Sequence, residues 1–108
     1  MRDGFYRVHF QTPLGWGTGV VHALGGKLWG GDAGMYYVGT YSIDNDTVNA
    51  EVRTDRHTQH PGIVAVFGRD QVRIALKGVS SGDKVKLNGT SPEAPGVSFT
   101  AELTRIAD

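Results

Sequence analysis

The chain has no cysteine among its 108 residues, which excludes disulfides and thiolate metal sites. That lack also fits a reducing compartment. It has no excess of either charge, because eleven basic residues balance eleven acidic ones. No global field therefore favours nucleic acid or a membrane surface. It has no long apolar run: Ile63 to Phe67 is far below the ~20 residues that span a bilayer. The opening Met-Arg-Asp-Gly-Phe-Tyr-Arg lacks the apolar core of a signal peptide. The chain reads as a soluble cytoplasmic protein that does not bind nucleic acid directly and does not enter a membrane.

What is abundant is glycine. Sixteen glycines, against only four prolines, are about twice the usual share. They punctuate the chain at short intervals, as tight turns and strand kinks require. The length fits one domain over residues 1–108, with a core modest enough to form without staples.

Period-2 alternation dominates, and no helical periodicity of useful length occurs. Tyr6, Val8 and Phe10 point one way while Phe5, Arg7 and His9 point the other. Pro13-Leu14-Gly15 turns into a strand from Trp16 to Leu24, and Gly25-Gly26 is a two-residue hairpin signal before Lys27 to Gly31. Asp32-Ala33-Gly34 turns into Met35 to Ile43, and Asp44-Asn45-Asp46 turns into Thr47 to Arg53. Residues 54 to 70 are the least regular. Val72 to Lys77 then alternates again, Gly78 to Gly82 reads as a turn, and two further strands carry Val85 with Leu87 and Val97 with Leu103.

About eight strands with hairpin-length connections give an all-β fold, an eight-stranded antiparallel up-and-down barrel. A Greek-key sandwich is the alternative, since closure is not written in a sequence. Such a barrel is either filled by side chains or holds one small ligand. Eight of the ten aromatics precede Ser42, which favours a filled interior.

Three stretches invite a chemical reading. Gly15-Trp16-Gly17-Thr18-Gly19 has phosphate-loop glycines, but strand-like residues follow where a helix must open, so it reads as a glycine-kinked strand. His57 and His60 have a spacing that suits one metal ion, yet zinc needs three or four ligands and only Asp55 lies nearby. Arg73, Lys77, Lys84 and Lys86 form a basic strip on one hairpin without interleaved aromatics, which reads as a solvated face. No nucleophile elbow, marked carboxylate pair or cofactor loop occurs, so no enzyme activity and no cofactor is expected.

The most distinctive stretch is Gly30 to Asp46, a turn, an aromatic-rich strand and a short acidic turn. Gly30-Gly31-Asp32, Tyr37, Gly39 and Asp44-Asn45-Asp46, with the opening Asp3-Gly4-Phe5-Tyr6, resemble the GrlR-type negative regulators of type III secretion. The resemblance covers residues 3 to 53. It implies a small cytoplasmic lipocalin-like barrel that forms a homodimer and holds a helix-turn-helix transcriptional activator away from DNA. It also implies a protein-binding site at the hairpin tip, where the family's acidic stretch falls on Ile43, Asp44, Asn45 and Asp46. Asp44 and Asp46 match it; Ile43 and Asn45 do not. The competing expectation is a calycin-like carrier of a small ligand.

Overall fold

A computed structural model describes residues 1–63 and 65–108. Eight strands follow one another: β1 Gly4–Thr12, β2 Gly15–Leu24, β3 Lys27–Gly31, β4 Met35–Asp44, β5 Thr47–Arg56, β6 Val72–Ser81, β7 Lys84–Thr90 and β8 Phe99–Ala107. Each pairs antiparallel with the next, and β8 returns to β1 through Val8 opposite Leu103, closing the barrel. Closure leaves no open edge.

The alternation explains the wall. Along β6, Val72, Ile74 and Leu76 are buried while Arg73, Ala75 and Lys77 are exposed. Along β1, Tyr6 and Val8 are buried between exposed Phe5, Arg7 and His9. A slip of one residue would turn every apolar side chain outward, so burial fixes the register.

The structure redraws three boundaries. Gly78 lies inside β6, opposite Leu87, and not in a turn. A Cβ at Gly78 would fall 1.7 Å from the Lys86 carbonyl oxygen, so the glycine permits a close approach of the strands there. β5 runs three residues past Arg53, because Thr54, Asp55 and Arg56 still pair with Tyr37, Tyr36 and Met35. Val97 sits before β8, not within it. Of the apolar run 63–67, residue 64 lies outside the described residues.

The two ends of the barrel are built differently. At one end Gly25-Gly26, Asn45-Asp46 and Gly82-Asp83 make two-residue connections. Gly25 and Gly26 both have positive φ, which is why that hairpin needs glycine. The core beneath these turns is filled, with Tyr6, Ala23, Val48 and Val85 almost wholly buried. At the other end lie the long connections 57–71 and 91–98.

Candidate functional site

The long-connection end holds a cavity of about 370 Å³, lined by Val8, Phe10, Leu76, Leu87, Phe99 and Ala101 among others. Glycines make room for the rings beside it. A Cβ at Gly17 would lie 2.7 Å from the Phe10 ring, and one at Gly19 would lie 2.6 Å from the Tyr37 hydroxyl. The segment Gly15 to Gly19 is therefore a glycine-rich strand serving the barrel interior, as its sequence context implies.

Aromatic rings roof the cavity. Phe67 stacks on Phe99 with ring centroids 5.2 Å apart, Phe99 lies 6.2 Å from Phe10, and Phe10 meets the edge of Tyr37 at 6.0 Å. The 57–71 connection delivers Val66 and Phe67, both buried, into this mouth. It is held at several points. The Thr12 hydroxyl donates to the Val66 carbonyl, and Thr54 Oγ1 donates to the Asp70 carbonyl at 2.9 Å. The Arg56 guanidinium pairs with Asp70 at 3.0 Å, and the His57 amide donates to the Gly34 carbonyl at 2.9 Å.

Beside the roof sits the polar pair Asp32 and Tyr37. One Asp32 carboxylate oxygen, Oδ1, accepts from the amides of Gly34 at 2.9 Å and Met35 at 2.8 Å, capping the β3–β4 turn. The other, Oδ2, accepts from the Tyr37 hydroxyl. Burial, and then this hydrogen bond, pushes the Tyr37 phenol far above its ordinary range, so it stays protonated and donates.

His57 and His60 do not join. A ring nitrogen of His57 lies 2.9 Å from the Asp32 carbonyl and the other 2.7 Å from the Thr58 hydroxyl. The Gly62 amide donates to His60 Nδ1 at 3.1 Å. Among the described residues, no three His, Cys, Asp or Glu side chains converge as a metal site. The basic strip is interrupted by carboxylates: Arg73 pairs with Glu93 at 3.2 Å and Lys84 with Glu102 at 3.6 Å.

Asp44, Asn45 and Asp46 are all exposed, at the short-turn end and so remote from the cavity. Asn45 has φ 56°, a left-handed conformation that asparagine tolerates better than glutamate or an apolar residue does. The Asp46 carbonyl accepts from the Ser80 amide at 2.8 Å, tying the turn to β6.

The outer wall carries a feature that an aromatic count alone misses. Four of the eight early aromatics, Phe5, Trp16, Trp29 and Tyr36, face out and not in. Phe5 and Trp29 are each 41% exposed. The register aligns Phe5 with His22, His22 with Trp29, and Trp29 with Val38, so one row crosses four strands. Phe5 stacks on His22 at 4.7 Å and His22 meets Trp29 edge-on at 5.0 Å. Val20 and Tyr36, with Gly31 between them, flank it in the next row. The signal was present in the strand parity of Phe5, but only the pairing register assembles the row.

No protein-family model matches this chain, and no curated protein matches it. What the molecule offers on its own is a closed antiparallel barrel with a hollow end, an acidic turn at the filled end and an aromatic outer wall.

Proposed function

We propose that the protein is a non-enzymatic regulator that holds another protein, and that it works as a homodimer in the cytoplasm. The row Phe5–His22–Trp29–Val38 carries this reading. A closed barrel has no free strand edge, so a partner must dock on a face. Aromatic side chains lying flat on a sheet release about 25 cal/mol for each Å² of apolar surface they bury. With Val20 and Tyr36 the row spans four strands by two rows, roughly 250 Å² at ordinary strand spacing, and forms a contiguous apolar patch on the outer wall.

The occupant of the row is a second copy of this chain. Arg7 is the one charged side chain projecting between Phe5 and His9, so the patch sets little charge against itself across a two-fold axis. The regulated partner, from the resemblance to GrlR-type regulators, is a helix-turn-helix transcriptional activator. Such a protein carries a basic DNA-binding surface. Exposed Asp44 and Asp46 supply steering toward it, and Asn45 keeps the turn that presents them.

The test is capture of a helix-turn-helix activator from the native cell by tagged protein, comparing wild type with Asp44→Ala/Asp46→Ala. Loss of capture in the double variant is the expected result. Equal capture removes the turn from the interface, and no activator in either sample removes the regulatory reading.

A further inference from the structure

We propose that the cavity under the aromatic roof binds a small apolar molecule that carries one hydrogen-bond donor, an alcohol or an amine. The body of the site is apolar: Val8, Leu76, Leu87 and Leu103 line it together with the rings of Phe10 and Phe99. At about 370 Å³ it holds the liquid volume of roughly a dozen waters, which suits a ligand of about ten non-hydrogen atoms.

The polar groups at the mouth specify the head. The Tyr37 hydroxyl gives its proton to Asp32, which leaves the phenolic oxygen as an acceptor. Asp32 Oδ1 is occupied by the Gly34 and Met35 amides, while among the described residues Oδ2 receives only the Tyr37 proton and keeps accepting capacity. Thr54 spends its hydroxyl proton on the Asp70 carbonyl. All three residues line the cavity, and each carries an acceptor oxygen with spare capacity. Among the described residues Arg69 is the one cation on the lining; it is exposed and its guanidinium turns to the Glu93 carbonyl at 3.3 Å. Beside Asp32, Tyr37 and Thr54 a carboxylate head would face acceptors, and an alcohol or ammonium head would be satisfied.

The site stands apart from the acidic turn and from the outer aromatic row. Tyr37 joins it to the roof: the same residue that binds Asp32 meets Phe10 edge-on.

Isothermal titration of octan-1-ol, octylamine and octanoate into the wild-type protein tests the assignment. The alcohol and the amine are expected to bind with dissociation constants on the order of 0.1 mM, and octanoate at least tenfold more weakly. Ala101→Leu and Val52→Phe, which fill the cavity from two strands, are expected to weaken octan-1-ol at least tenfold while keeping the β-sheet circular dichroism. Methyl NMR of the wild type reads the location without any variant. Shifts on Val8, Leu76, Leu87 and Leu103 support the cavity; shifts confined to exposed Leu14 and Leu24 overturn it. Absence of binding by all three molecules, or octanoate binding tightest, also overturns the proposal.

Discussion

The two halves of the barrel wall obey the same inward rule and differ outward. Facing solvent on β1 to β4 are Phe5, Val20, Trp29 and Tyr36. On β5 to β8 the outward positions carry mostly charge, with Glu51, Arg53, Arg73, Lys77, Lys84, Lys86 and Glu102, and the exposed apolar side chains Val79 and Ile106 stand apart from one another. Both halves bury enough apolar surface to close the barrel, so closure does not require outward aromatics. A solvated sheet face normally looks like the second half. The difference supports the proposal that the first half is covered by a second copy of the chain.

The largest expected effect breaks that contrast directly. Phe5→Glu/Trp29→Glu should weaken self-association at least 100-fold in sedimentation equilibrium, because it places charge at the centre of an apolar contact. Lys77→Glu/Lys86→Glu, on the opposite wall, should leave association within threefold.

The ends of the barrel sharpen the comparison from inside. Tyr6 is 1% exposed at the filled end and its hydroxyl donates to the Arg2 carbonyl at 2.5 Å. Tyr6→Ala should cost about 3–5 kcal/mol in urea unfolding, as large aromatic truncations in filled cores do. Adding volume should have opposite signs at the two ends. Ala23→Val, in the filled end, should destabilise by about 1–3 kcal/mol. Ala101→Val, on the cavity wall, should stabilise by about 0.5 kcal/mol.

The smallest effect belongs to the charged wall. The Arg73 guanidinium holds the Glu93 carboxyl below the usual carboxylate range, partly offset by burial. A lowered folded-state pKa means that the pair stabilises the fold above the ordinary carboxylate range, and that this contribution fades as pH falls through the lowered value. The Arg73 side chain is 75% exposed and so open to screening. Glu93→Gln keeps an oxygen that can accept from the Arg73 amide, so the thermal midpoint at pH 7 should stay nearly unchanged, as differential scanning calorimetry would read it.

Much of this fold was legible because its information is local. Period-2 alternation placed the strands, and Gly25-Gly26 marked its turn because few other residues adopt positive φ twice in succession. The Gly78 turn misled because a glycine read alone does not say whether it bends the chain or admits a neighbouring strand. At the hollow end the determinants are distant in sequence: Thr12 holds Val66, and Phe67 stacks on Phe99. Counting early aromatics as core filling failed for the same reason. Half of them project outward, and Phe10 and Tyr37 lie over Gly17 and Gly19 at the wall. The acidic turn was legible as a turn. Its proposed role in binding rests on charge and on the resemblance of residues 3 to 53, not on burial or a hydrogen-bond network.

The absence of cysteine makes the outer aromatic row directly testable. A single His22→Cys substitution places a thiol at the middle of the Phe5–His22–Trp29–Val38 row, and Lys77→Cys places one on the charged wall. Under mild oxidation at micromolar protein, His22→Cys should give a disulfide-linked dimer on non-reducing gels while Lys77→Cys stays monomeric. Equal crosslinking of both, or none by His22→Cys, would contradict the claim that the aromatic wall is where this barrel is covered.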